Sequence, residues 1–158
     1  MKVIAVASSK TKTLVESLGE ANVIVRDGKS GDEIVTEIRG IARNDITRAI
    51  DLVGTETAQY CLNALSTEKE CIFAPLATIS SQAVVPSNVT VETVEMKQFV
   101  LDPASRVYAW ELGNLIEDGS LKLPSIDVLE GGLDSVQMGL ERLKRGDMQG
   151  RKLIVRFT

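Results

Sequence analysis

The chain has 158 residues, 44% apolar and 25% charged, the make-up of one globular domain able to bury roughly two thirds of its unfolded surface. Its net charge of −4 is spread over interspersed acids and bases with no basic stripe, so nucleic acid and anionic membranes are poor partners. There is no histidine, and Cys61 and Cys71 lack CxxC spacing, which excludes a Cys/His zinc site and any Ser/His or Cys/His nucleophile–base pair. Both thiols read as small buried hydrophobes, consistent with a reducing compartment, the cytoplasm. No apolar run approaches the roughly 20 residues that span a membrane, and Val3–Ala7 is too short for a leader.

In chain order, Val3–Ala7 is a continuous apolar run, the mark of a strand covered on both faces. Ser8–Lys12 is a polar turn. Leu14, Val15 and Leu18 give a short helix its inner face, and Gly19 ends it. Asn22–Val25 is a second strand, followed by Asp27-Gly28 loop chemistry and a helix carrying Ile34, Val35 and Ile38 that stops at Gly40. Thr47–Val53 is a third strand closing on Gly54. The helix after it places Ala58, Cys61, Leu62 and Leu65 at i, i+3, i+4, i+7.

Cys71–Ala74 is a fourth strand stopped by Pro75, and residues 79–86 are loop. Val89–Met96 alternates as a fifth strand that extends towards Phe99–Leu101. Asp102-Pro103 is a helix start, with Asp at the N-cap and Pro at the first helical position. Val107, Tyr108, Leu112, Leu115 and Ile116 line that helix, which Gly119 ends. Leu121–Leu129 is extended. Asp134 with Gln137 spells a capping box and Leu133 with Met138 a hydrophobic staple, opening a helix that runs to Lys144 or Arg145 before Gly146. Lys152–Phe157 is the last strand. Strand and helix alternate from residue 2 to about residue 75, which predicts an α/β fold with a parallel sheet and helices on both faces.

In such sheets ligands bind beyond the carboxyl ends of the strands, so three loops qualify: residues 8–12, 54–56 and 75–78. An acid ending the second strand of a dinucleotide fold bonds the ribose hydroxyls and favours NAD. Ser8, Ser9 and Lys10 instead offer two hydroxyls and a cation, suited to a 2′-phosphate and so to NADP(H). A solvated, capped turn is the plainer reading. Val53-Gly54 allows a cofactor to pass close to the backbone, or simply makes a tight turn. Pro75 and Leu76 either wall a nicotinamide or end a strand. Tyr108 and Trp110 read as core or helix-face residues, and Glu111, Glu117 and Asp118 as a solvated face. No phosphate-binding GxGxxG or GxxxxGKS is present.

Three stretches together resemble one family. KVIAVASSKTKTLVESLGEANVIV is similar to the second βα unit of the cofactor domain of medium-chain dehydrogenases/reductases. AIDLVGTETAQYCLNAL is similar to the family's D-x-VG strand end and following helix, and GGLDSVQMGLERLKRGDMQGRKLIVRF to its closing segment. The likeness is greatest to the zinc-independent quinone and enoyl reductase branch, including fungal trans-enoyl reductases.

The resemblance implies an NADP(H)-dependent oxidoreductase that passes hydride to an activated C=C or C=O, with no metal. It implies that Ser8, Ser9 and Lys10 hold the adenosine phosphate end, that Val53 and Gly54 lie along the ribose, and that Pro75, Leu76, Phe99 and Leu101 flank the nicotinamide. It names no catalytic residue. Residues 1–120 would form a partial Rossmann-like dinucleotide-binding domain, an incomplete doubly wound sheet. Residues 121–158 would form a strand–helix–strand segment that packs on a catalytic domain. The strand near Val89–Met96 would pair with its copy in a homodimer. Against the family pattern the sequence opens at the second strand, without the GroES-like domain and the glycine-rich first βα unit. The expectation is therefore a truncated chain, inactive alone. The alternative is a non-catalytic truncated paralogue or pseudoenzyme acting through protein association, and a flavodoxin-like binding module is a third possibility.

Overall fold

The computed structural model describes residues 2–19, 22–76, 79–93 and 100–157. Strand β1 (Ile4–Ala7) pairs in parallel with β2 (Asn22–Val25), Ala7 opposite Val25, across the six-residue helix α1 (Lys12–Ser17). Bonds from Asn22 N to Val3 O (3.1 Å) and from Arg26 N to Ala7 O (2.9 Å) continue that ladder at both ends. The second parallel sheet has the order β3 (Arg48–Asp51), β4 (Cys71–Pro75), β5 (Val89–Val91), and the third pairs β6 (Ile126–Leu129) with β7 (Lys152–Val155). Among the described residues every pair is parallel, and for β1–β2 and β3–β4 this is what the alternation of strand and helix up to residue 75 predicts. Among the described residues β1 and β3 do not pair.

Helix α2 (Gly31–Ala42) is set by a reciprocal cap: Glu33 N donates to Ser30 Oγ (3.3 Å) and Ser30 N to Glu33 Oε2 (2.7 Å). It does not stop at Gly40. One interior glycine costs only about 1 kcal/mol, and Ile41 continues the apolar face. The chain leaves instead at Arg43, at φ 54°. At its far end Arg39 Nη2 donates to Asn63 O (2.8 Å), tying α2 to the end of helix α3 (Thr55–Ala64).

Two clusters form the core. Ala58, Leu62 and Leu65, from α3 and its end, pack with Cys71 and Phe73 of β4, and Phe73 has 0% exposure. Ile24, Ile38 and Ala64 form the second cluster, and Ile46 packs against both. The opposite face of the β3–β4–β5 sheet is open, with Ile50 66% exposed. Of the two thiols expected to be buried, Cys71 is buried and Cys61 half-buried; burial, followed by the Asp51 carboxylate, pushes the Cys61 thiol up to about 11.

Several element boundaries differ from the sequence reading. The fifth strand is described only over Val89–Val91, positions 94–99 (including Phe99) lie outside the described residues, and Val100 and Leu101 are helical rather than extended. Asp102 caps as expected, accepting from Ala104 N (3.0 Å), and a 3₁₀ turn over Pro103–Ser105 leads into helix α4 (Arg106–Glu117). Yet α4 buries none of its residues, and Val107, Tyr108, Leu112, Leu115 and Ile116 are all exposed.

The last helix, α5 (Val136–Lys144), is entered through a 3₁₀ turn over Gly132–Ser135 that follows Gly131 at φ 106°. Asp134 therefore falls inside the turn and caps nothing, Gln137 reaches forward to Glu141 (3.2 Å), and Leu133 and Met138 stay exposed, so neither box nor staple forms. Gly146 closes the helix at φ 70°, as predicted. Arg142 (2.8 Å) and Arg151 (3.1 Å) both clasp Asp127 of β6. Leu14 of α1 lies so close to Gly150 that a Cβ there would collide with it.

Ser30→Ala removes the acceptor for the Glu33 amide, and we expect it to cost about 1 kcal/mol. A lower urea midpoint with an unchanged m-value would report it.

Candidate functional site

The carboxyl end of β1 passes straight into the Ser8–Thr11 turn. Thr11 N donates to Ser8 O (3.1 Å), and the Ser8 and Thr11 hydroxyls lie 3.0 Å apart. Because Ala7 stands opposite Val25, the residues beyond the two strand ends also come side by side. Asp27 thereby reaches the turn: Ser9 N donates to Asp27 Oδ2 (2.7 Å), and the Ser9 hydroxyl donates to the same oxygen. Those bonds, hydroxyl first and amide second, hold the Asp27 carboxyl below its ordinary 3.8, with Arg26 and Lys10 adding attraction. Asp27 was missed by the sequence reading, which took Asp27-Gly28 only as loop chemistry. Its signal is an acid two residues past Val25, the partner of Ala7.

A second group of predicted residues assembles at the end of β3. The strand stops at Asp51, short of Val53, because the Asp51 carboxylate is buried and accepts from Val53 N (3.0 Å). It also accepts from Thr57 Oγ1 (2.8 Å) and so fixes the first turn of α3. Gly54 lies between at φ 131°, a conformation open to glycine and little else, so the turn accounts for this residue by itself. Its carbonyl accepts from Thr57 N (2.9 Å) and Ala58 N (3.1 Å). Pro75 pairs with Asp51 in the ladder, and Leu76 N donates to Asp51 O (2.9 Å).

The fold thus brings Val53, Gly54, Pro75 and Leu76 to one sheet end, and Ser8, Ser9 and Lys10 to another. Leu101 is exposed immediately before the Asp102 cap and joins neither ladder. Val53 and Leu76 are exposed on the loops, whereas Gly54 and Pro75 are buried. Tyr108 and Trp110 lie on an exposed helix face and not in the core. Among the described residues no group of three or more His, Cys, Asp or Glu side chains is placed to hold a metal ion, and no helix is long and apolar enough to cross a membrane.

A dinucleotide would find hydroxyls, an amide and a cation at the end of β1, and exposed apolar side chains at the ends of β3 and β4. Donors of this kind can meet an anionic group, with one conflict: the two Ser9 donors already serve Asp27.

Comparison with known proteins accords with this frame. Over 173 aligned positions the chain is 30% identical to the trans-enoyl reductase resD of Aspergillus sclerotiorum, covering 97% of the chain and 47% of that protein. The chain is similar to a trans-enoyl reductase over nearly its whole length. It superposes on the CurF ER cyclopropanase of the curacin A biosynthetic pathway with a TM-score of 0.77 at 20% identity, covering 99% of the chain and 47% of that structure. A mycobacterial protein solved with NADPH gives a TM-score of 0.71 at 14% identity, covering 98% of the chain and 48% of that structure. The expected resemblance to the enoyl-reductase branch therefore holds, and the fold is the Rossmann-like α/β arrangement predicted. No protein-family profile matches the chain. The chain spans about half the length of this curated relative.

Two predictions follow from the local geometry. Asp51→Ala strands the Val53 amide and leaves the Thr57 hydroxyl only the Gly54 carbonyl, and the loss of stability should be about 1–3 kcal/mol, with Asp51→Asn costing less; chemical denaturation checks both. The Asp27 carboxyl should titrate below 3.8 by NMR, and Ser9→Ala should bring it back up towards that value. A lowered folded value means that the Ser9–Asp27 tie is fully present above the ordinary carboxyl range and is lost as pH falls through the folded value.

Proposed function

We propose that this chain is the cofactor-binding portion of an NADP(H)-dependent oxidoreductase of the quinone/enoyl reductase type. The observation that carries the reading is the turn of Ser8, Ser9 and Lys10 at the carboxyl end of a parallel strand, in a chain similar to a trans-enoyl reductase over 97% of its length. The NADPH held by one structural neighbour supports the choice of nicotinamide cofactor. When bound, that cofactor supplies hydride to an activated C=C or C=O.

The chain's own part is to bind and orient it. Ser8, Ser9 and Lys10 receive the 2′-phosphate, Val53 and Gly54 run along the ribose, and Pro75, Leu76, Phe99 and Leu101 flank the nicotinamide. Residues 1–120 act as the dinucleotide-binding unit, and residues 121–158 pack on a catalytic domain. The edge position of β5 supports pairing with a second copy, and the cytoplasm is the proposed compartment.

One observation favours a second reading, a non-catalytic paralogue that works by association: α4 presents Val107, Tyr108, Trp110 and Leu112 to solvent, with Trp110 72% exposed. Cofactor binding separates the two. Under the first reading, micromolar protein shifts NADPH fluorescence, and Lys10→Glu weakens NADPH more than NADH. Absence of binding to either nucleotide at millimolar concentration would overturn it.

A further inference from the structure

The turn that should receive a phosphate already holds an anion belonging to the protein. Ser9 offers two donors, its amide and its hydroxyl, and both point to one oxygen of Asp27. Asp27 is not there by accident of its side-chain rotamer alone. The β1–β2 register sets Ala7 against Val25, and Arg26 N is bonded to Ala7 O (2.9 Å), which delivers the next residue of the second strand's exit to Ser9. The charges around this carboxylate are Lys10 from the turn itself and Arg26 from the strand end. An acid just past the end of β2 thus stands in space at the tip of β1.

Building on the reading above, we propose that Asp27 is the residue that sets selectivity at this turn: an internal carboxylate that a 2′-phosphate must displace from Ser9 before it can bind. A phosphate monoester carries about −1.5 to −2 charges near neutral pH, so Asp27 opposes it twice, by occupying the donors and by repulsion. A ribose that carries only hydroxyls meets no such repulsion, and it can donate to the same carboxylate. Lys10 pulls the other way, attracting phosphate and Asp27 alike. The turn is therefore balanced between the two kinds of nucleotide, with the Asp27 charge as the counterweight to Lys10.

The test is binding of adenosine 2′,5′-bisphosphate and of 5′-AMP to the full chain by calorimetry, with the Ser9 amide followed by NMR. Asp27→Asn keeps an acceptor for Ser9 and removes the charge. It should tighten the bisphosphate by about tenfold, the equivalent of 1.4 kcal/mol, leave 5′-AMP within about twofold, and enlarge the bisphosphate-induced shift of the Ser9 amide. Glu68→Gln, an exposed acid on the loop leading into β4, should change neither affinity and so separates a local effect from net charge. If Asp27→Asn does not fold, Asp27→Ser carries the same test. Both nucleotides binding with an unchanged ratio in the variant would overturn the role of Asp27 while leaving cofactor binding intact. Neither nucleotide binding to either protein would overturn the cofactor reading, and this inference with it.

Discussion

Phe73 has no accessible surface, and what covers it decides where almost everything else in residues 46–91 can lie. Ala58, Leu62 and Leu65 close over it from α3, Cys71 flanks it on its own strand, and Val89 and Val91 pack against the same cluster from β5. An aromatic side chain buried this completely ranks among the larger apolar contributions a small domain makes. It also imposes an orientation. With α3 clamped on one face of the sheet, its N-terminus must start at the end of β3, where the Asp51 carboxylate takes the Val53 amide and the Thr57 hydroxyl and turns the chain. The loops at Val53–Gly54 and Pro75–Leu76 are the outer ends of that packed unit. Their backbone is held by ladder bonds such as Leu76 N to Asp51 O, which gives a ligand a fixed surface to meet.

The same packing leaves a contrast between the faces of the sheet. A doubly wound arrangement covers both, whereas here α3 shields one face and Ile50 and Ile72 look outward from the other. Helix α4 adds a second exposed apolar surface. Contiguous exposed apolar faces often mark surfaces that meet other polypeptide.

Much of the fold could be read from local pattern, because local pattern is what produces it. Continuous apolar runs gave β1 and β4, the i, i+3, i+4 spacing gave α3, and Asp102-Pro103 and Gly146 marked helix ends that the structure keeps. The failures have a common cause, in that each depended on a competition that a local motif does not contain. Gly40 looked like a stop, but Ile41 pays for another turn of helix. Asp134 and Gln137 had capping-box spacing, but positive φ at Gly131 and Gly132 starts a 3₁₀ turn that moves the helix start to Val136. The working box, Ser30 with Glu33, was overlooked in a stretch read as loop. For the candidate site, Ser8, Ser9 and Lys10 were legible as chemistry, whereas Asp27 required the register of two strands, a long-range property fixed by packing.

Ile46 packs against both core clusters, which belong to sheets that share no strand. Side-chain contact rather than a common hydrogen-bond ladder therefore makes the two halves cooperative. Units coupled in this way can open separately when the shared contact is lost. The cohesion of the βα units rests on contacts of this kind, from Ile46, Ala64 and Arg39, and not on a shared ladder.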